Sequence, residues 1–542
     1  MTVADGVPEV ADATPDHRTD ARHPGGAHRE RPTRVSRTRV VIAALLLVIF
    51  SIAAVVLLPP LIAAAALITV SLLVIFRHLV FTWSAMIVAL AAVIMFVPAR
   101  RYAIPIPLPF QLEPYRLVLA IVIVTLVVVL LLKNNDVRWR PVAFGWPVGI
   151  FLATVLVSLI ANGMRLVNDG LAVTAIGGFS QLLLMLAVFY CFRQLFRSER
   201  DVLLLLTFIT WAGVIVSFFA VIERFSRQNV FLMLGNVLPL TLLRESGDVS
   251  RAGVARAFGS AQHPIALAVA LCILIPLAIY LAKYAAWPVN SINRKIVYAG
   301  ATVMLFGGVV SAISRTAVVV LGVMFLVALI FHPRVAGALF ALAFPLILLS
   351  AAVVPNVFES MVLSFLDLDS LVESQYASAG FRGAGRLADL EPAMREVAQY
   401  PFFGSGYGGR IVIGEARNAF ILDNQFLGTL METGALGVAG LAVFLLVPPI
   451  LLLRFAFTRA AEVRHSNLAI AITVAVSGYI AAIFFYDAFG FFQTFFILCM
   501  LLAAGAWLLT EAPRRPAKGT GAVAHDDGAP AEATPEMRGA ER

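Results

Sequence analysis

The chain has 542 residues, 60% of them hydrophobic and only 13% charged. A typical soluble domain is about 45–50% apolar and about 25% charged, so this composition excludes one large soluble globule and also a disordered chain. The formal charge of +9 comes from 41 Lys+Arg against 32 Asp+Glu spread over tails and loops; it gives no reason to expect a nucleic-acid partner and leaves anionic membrane lipid as the simplest one.

The first 39 residues are rich in Pro, Gly, Ala and charge, and are expected to be a disordered basic tail. The run from Arg18 to Arg39 lacks the layout of a removable signal peptide. From residue 40 to 510 the apolar residues gather into uncharged runs, each close to the ~20 residues that carry a helix across a bilayer. Backbone groups in lipid must be satisfied within the segment, so these runs are helices. About 14 spans are expected by that length criterion, at 41–58, 61–76, 79–97, 115–132, 144–161, 170–191, 202–222, 264–282, 296–313, 316–331, 335–354, 425–453, 467–485 and 490–510. The fold class is all-α: a polytopic transmembrane helical bundle with a long helical extracytoplasmic loop. The positive-inside rule puts the N-terminal tail in the cytoplasm. Alternation then brings Lys133–Arg140, Arg193–Arg200, Lys283–Lys295, Arg454–Arg464 and Arg514–Lys518 to the same side, together with the second polar tail, 511–542. Both termini are therefore expected in the cytoplasm of a multi-pass protein of the cell membrane. Cys191, Cys272 and Cys499 all fall inside apolar runs, as packing residues rather than a disulfide framework.

Two long loops stand on the opposite face, at about 223–263 and 355–422, and long loops are uncommon unless functional. The first carries Arg224, Arg227, Arg244, Arg251 and Arg256; the second carries Arg382, Arg386, Arg395, Arg410 and Arg417; Arg315 sits at a hairpin tip on the same side. Guanidinium groups bind phosphate oxygens in pairs and keep their charge when half-buried. These arginines either form a site for a diphosphate or another polyanion, or pair with the nearby acids Glu245, Asp248, Asp389, Glu391 and Glu396 or contact lipid headgroups.

In the second loop, Leu387, Leu390, Met394 and Val397 recur at helical spacing, predicting a short amphipathic helix that lies on the membrane or caps a cavity, with Pro401 ending it. The stretch Pro401–Gly409 contains G-x-G-x-x-G at Gly404, Gly406 and Gly409. A dinucleotide fingerprint needs a preceding strand and a βαβ unit, and neither is in prospect. The stretch is expected to be a tight turn that exposes backbone, with an anion nest as its possible use. Asp423 and Asn424 stand where loop becomes helix, a position that suits an N-cap. Glu432 is an acid well inside a span, a functional candidate by default. Gly434, Gly437 and Gly440 allow close helix approach. His263, before Pro264, is placed to cap the eighth span. No His/Cys/carboxylate group has zinc spacing, so neither a metal nor a cofactor is expected.

In order, Arg256-Ala-Phe-Gly-Ser with His263-Pro264, Ser314-Arg315-Thr316, Gly385-Arg386 leading into Pro401-Phe-Phe-Gly-Ser-Gly, and Asp423-Asn424-Gln-Phe-Leu with Glu432-Thr-Gly434 resemble the O-antigen ligase and O-antigen polymerase superfamily, best between about 250 and 450. The resemblance implies transfer of a glycan from a polyprenyl diphosphate lipid to a hydroxyl of a glycan or other acceptor, outside the cytoplasmic membrane, without a nucleotide sugar. Arg256 and Arg315 match the family's functional arginines, and Arg386 is a third candidate. The sequence departs from the family's pattern at Asp423-Asn424, where many ligases have His-Asn; a carboxylate can serve as the general base there, and the departure favours a polymerase or another glycan transferase over a lipopolysaccharide ligase proper. Arg410, Arg417, Asn424, His263 and Glu432 complete the expected substrate-binding set. A transporter or flippase for a lipid-linked or anionic glycan shares the cationic face. It would show inverted repeats or broken helices with polar groups at the membrane midplane. A non-catalytic envelope scaffold is the third reading.

Overall fold

The computed structural model describes residues 82–106, 111–131, 139–244, 254–353, 390–410 and 423–514, with isolated positions elsewhere. The chain divides into two compact units, residues 1–75 and 76–542. In the first, the few described residues between 48 and 67 are helical; the first two expected spans and both tails otherwise lie outside the described residues.

The second unit is a helical bundle. Among the described residues its helices are α1 (Trp83–Phe96), α2 (Pro114–Leu131), α3 (Gly145–Ala161), α4 (Gly163–Asn168), α5 (Ala172–Leu195), α6 (Glu199–Ser226), α7 (Pro264–Tyr284), α8 (Ser291–Ser311), α9 (Arg315–Phe331), α10 (Pro333–Val353), α11 (Leu390–Gln399), α12 (Gln425–Arg454), α13 (Val463–Ala482) and α14 (Phe492–Glu511). Each span expected from residue 79 onward coincides with a helix. Among the described residues, seven helices are long and apolar enough to cross a membrane, and α1, α3 and α9 are shorter apolar helices. Among the described residues, strand forms only two-residue pairs in the connections: β1 (Tyr102–Ala103) with β2 (Thr241–Leu242), and β3 (Ser250–Arg251) with β4 (Val254–Ala255).

Burial follows from which helices are apolar all round and surrounded by others. The helix α7 packs against α6, α8, α9, α13 and α14 and is buried along nearly its whole length, as is α14. By contrast α2 turns Ile121, Val124, Val127, Val128 and Leu131 outward. In water such a stripe would be an aggregation surface; in a bilayer it is the lipid-facing side.

The contacts sort the helix ends into two sets. One end is held by charge: Arg193 Nη2 lies 2.6 Å from Glu511 Oε1, Arg464 Nη1 3.1 Å from Glu199 Oε1, and the Asn467 amide donates to Tyr284 OH at 2.7 Å. The other end gathers the connections around 98–103, 227–263, 312–314, 400–410 and 483–491 and the start of α12. There β1 and β2 zip the first two of these together, in the register Tyr102 with Leu242 and Ala103 with Thr241.

Candidate functional site

The segment Ala255–His263 threads through this second end, held by side chains from three directions. Glu223, near the end of α6, accepts the backbone N–H groups of Phe258 (3.1 Å) and Gly259 (2.9 Å) on its two carboxylate oxygens. Arg101 donates to Gln262 O (2.9 Å), and its guanidinium lies over the Phe258 ring. Burial lowers the pKa of Arg101, and the Glu223 carboxylate works against that shift. Arg224 donates to Ala255 O. So fixed, the segment delivers Arg256 to the tight turn between α8 and α9. Arg256 Nε donates to Ala312 O (3.0 Å) and Ala257 N–H to Ser311 O (3.1 Å). Ile313 completes the turn with φ of 44°, and Ser314 and Arg315 then open α9. Arg256 and the residues leading to Arg315 thus share one turn although 59 positions separate the two arginines. Arg386 and Arg417 lie outside the described residues.

His263 caps α7 as expected: its Nδ1 accepts the Ile265 N–H at 3.2 Å, which leaves the ring proton on Nε2. Its ring also rests against Phe491. The 483–491 connection, passed over in the sequence as a short loop, links the pieces. Gln425 N–H donates to Ile483 O (2.9 Å), Phe489 N–H to Gln425 Oε1 (2.9 Å) and Phe492 N–H to Gln262 Oε1 (3.0 Å). Phe426 stacks on Phe484. Asp423 and Asn424 are therefore carried beside this connection. At the helix start it is Asn424 that caps, its Oδ1 accepting from Leu427 N at 3.1 Å; Asp423 stands one residue outside the cap.

The glycine-rich stretch has a more specific role than a turn. The helix α12 is broken at Gly434, whose φ of 66° and ψ of −168° are open essentially to glycine alone. The break frees the carbonyls of Met431 and Glu432 and the N–H groups of Ala435 and Leu436, which would have bonded each other in a continuous helix. The loop after α11 satisfies all four. Ser405 N–H donates to Met431 O (2.8 Å) and Gly406 N–H to Glu432 O (2.9 Å); in return Pro401 O accepts from Ala435 N–H (2.8 Å) and Phe402 O from Leu436 N–H (3.2 Å). A side chain on Gly404 would overlap the Glu432–Thr433 backbone, and one on Gly434 the Phe402 carbonyl. Of the three glycines expected to pack, Gly434 makes the break, while Gly440 lets α12 approach Thr154 of α3. The nest expected from the G-x-G-x-x-G spacing meets an internal partner: Gly408 N–H points at Glu432 Oε2, 3.4 Å away.

Ser158 of α3 pins the joint. Its Oγ lies 2.7 Å from Phe403 O and 2.9 Å from Glu432 O, bridging loop and helix. Ser158→Ala removes that bridge and is expected to cost about 1 kcal/mol, as a typical buried hydrogen bond does, read as a lower unfolding temperature in detergent.

The amphipathic helix α11 sits on the first turns of α12 through Ala393 and Val397. Ala393 is buried against Met431, with Val397 and Leu427 beside them, while Leu390 and Met394 are exposed. The small Ala393 permits close approach to α12, which a stripe of large side chains would prevent. Arg395 pairs with Glu391 at 3.0 Å, so for that arginine the acid-paired reading holds.

Around the joint, charged groups lie close enough to influence one another. Asp487 has solvent-accessible surface although protein surrounds it on most sides. Burial raises its carboxyl pKa; the Gly490 N–H at 3.0 Å and the charges of Arg100 and Arg410 pull the other way. Burial, then the charges of Glu432 and Asp487, hold the Tyr407 hydroxyl well above its ordinary value. Arg100 itself, at φ of 61°, lies over the Phe492 ring. The sequence reading missed Asp487. Its one signal was an acid between two apolar helices, in the connection after Phe485-Tyr486. Among the described residues no group of His, Cys, Asp and Glu is arranged to hold a metal.

Residues 300–445 match the O-antigen ligase family model. The chain carries an O-antigen ligase domain. The domain runs from the middle of α8 into α12. It includes Arg315, Arg410, Asp423, Asn424 and Glu432 and leaves Arg256 and His263 before its start. With the apolar helices, the ligase domain makes this a multi-pass membrane protein of the glycan ligase and polymerase kind. No curated protein matches the chain.

Proposed function

We propose that the protein transfers an oligosaccharide or polysaccharide from a polyprenyl diphosphate to a hydroxyl of a glycan or other acceptor, on the outer face of the cytoplasmic membrane. The observation that carries this reading is the meeting of Arg256 with the turn that opens on Arg315, inside a chain bearing an O-antigen ligase domain.

In this scheme the acceptor O–H gives its proton to the Asp423 carboxylate as its oxygen bonds to the donor sugar's C1. The C1–O bond to phosphate breaks, and its electron pair leaves with the diphosphate. Charge grows on the departing oxygens, and the guanidinium groups of Arg256 and Arg315, with Arg386, stabilise it where it develops. Asp423 acts as general base; Arg410, Arg417, Asn424, His263 and Glu432 line the substrate path. The termini are placed in the cytoplasm, with Lys- and Arg-rich connections on that side.

One feature favours the transporter reading: α12 is a broken helix, as transporter binding sites often are. Here, however, the protein's own 401–406 backbone satisfies the freed groups. Purified protein in vesicles, given a polyprenyl diphosphate oligosaccharide and an acceptor glycan, separates the two. Covalent transfer with release of polyprenyl diphosphate is expected; movement of unaltered donor across the bilayer without transfer would replace the enzyme by a flippase.

A further inference from the structure

At the end of the bundle remote from these loops, about 30 Å along α14 at 1.5 Å per residue, three arginines gather near two carboxylates, Glu511 and Asp201. Arg193, near the end of α5, has a fully buried side chain whose Nη2 donates to Thr510 Oγ1 (2.8 Å) and Glu511 Oε1 (2.6 Å). Arg140 Nη1 approaches the other oxygen, Glu511 Oε2, at 3.5 Å. Its backbone is locked to Gln194, which accepts the Arg140 N–H (2.8 Å) and donates to its carbonyl (3.0 Å). Arg197 lies with its guanidinium 4.1 Å from the Trp83 ring centre.

The charges do not balance. Three cations face two carboxylates: Arg140 and Arg193 pair with Glu511, and Arg197 feels the charge of Asp201 and then that of Glu511, while the Asp201 oxygens already accept from Ser84 Oγ, Ser198 Oγ and the N–H groups of Arg197 and Ser198. Burial and then the Arg140 charge hold the Arg197 pKa below its ordinary value. The buried Nε and Nη1 of Arg193, Nε of Arg140 and Nε of Arg197 have no hydrogen-bond partner among the described residues. Buried N–H donors of charged groups are costly to leave unsatisfied. What satisfies several guanidinium groups at once is a group with several anionic oxygens.

We propose that Arg140, Arg193 and Arg197 form a phosphate-binding site occupied by the headgroup of an anionic membrane phospholipid. The lipid source is favoured by Trp139 and Trp146, which flank Arg140 in the chain and are both more than half exposed. Exposed tryptophans collect at the headgroup level of a bilayer. This site is independent of the glycan chemistry and belongs to the opposite ends of α6 and α14.

The test is native mass spectrometry of the full chain in detergent with phosphatidylglycerol, phosphatidylcholine or inorganic phosphate. Arg193, locked to Glu511, is left intact; Arg140→Gln, Arg197→Gln and the double variant are compared with the unaltered protein, each first shown to elute as a folded species. Phosphatidylglycerol is expected to be retained over phosphatidylcholine, each substitution lowering its retention about fivefold, the usual contribution of one arginine at an anionic surface. Equal retention by the double variant and the unaltered chain, or no preference for phosphatidylglycerol, overturns the site. Displacement of the lipid by inorganic phosphate at equal concentration overturns the lipid assignment in favour of a free anion.

Discussion

Arg315→Ala is expected to reduce polymer transfer by roughly 10²–10³-fold, the usual loss when one fixed group facing developing transition-state charge is removed. Backbone and a neighbour shape the turn that holds the residue: Ile313 and Ser314 form it, and Arg256 bonds the Ala312 carbonyl. The variant is compared only after it is shown to elute as a folded species, and the expected loss then falls on the chemical step. Asp423→Asn is expected to lose roughly 10²–10⁴-fold, because the amide cannot take the acceptor proton. Asn424→Ala is the informative neighbour. Asn424 caps α12 through Leu427 N–H, so this change is expected to cost about 1 kcal/mol of stability, as cap deletions do, with a smaller fall in transfer. The assay is incorporation of labelled donor glycan into acceptor, with polyprenyl diphosphate release measured in parallel. Undiminished transfer in both Arg315→Ala and Asp423→Asn removes the proposed site.

Gly434→Ala is expected to undo the joint between α12 and the 401–406 loop. The backbone there lies in a region that costs a non-glycine residue about 1–3 kcal/mol, and the new methyl would overlap the Phe402 carbonyl as well. The cheaper alternative is a straightened helix, in which Ala435 N–H returns to Met431 O and Leu436 N–H to Glu432 O. The loop then loses all four of its backbone partners at once. Limited trypsin digestion is expected to cut faster at Arg410, just beyond the docked segment, with thermal stability and transfer falling together. Gly428→Ala provides the comparison: a side chain there meets nothing within 4 Å, so digestion and stability are expected to stay unchanged. Equal cleavage in the two variants would mean that the loop is held by something other than this exchange.

The helices were legible because lipid imposes one rule on every residue of a span, and that rule leaves long uncharged runs in the sequence. The cap at His263 and the stop at Pro401 were legible for a similar reason: each acts on backbone within a few residues of itself. The joint at Gly434 was not. Its hydrogen bonds run between backbone atoms of two segments some thirty residues apart, and backbone has no sequence signature; only the glycines at 404 and 434 hint at it. The distinction between Asp423 and Asn424 as cap depends on a single residue of phase in the helix start, finer than composition resolves. The contact of α11 with α12 through Ala393 was not legible, because it depends on which surface of α12 the loop brings alongside. Asp487 went unnoticed because it gains meaning only when Gln425 and Gln262, far away in the chain, fold onto its loop.

The helix most enclosed by its neighbours, α14, is also the last of the described helices to be made. Until it arrives, α5, α7 and α13 face a channel left for it, and Ser260 and the carbonyls of Ile94 and Met95 lack the Gln493 amide that joins them. Closure of the bundle thus waits for this helix: a chain cut before residue 492 is expected to leave α5, α7 and α13 without their common partner, read as loss of the folded species in detergent.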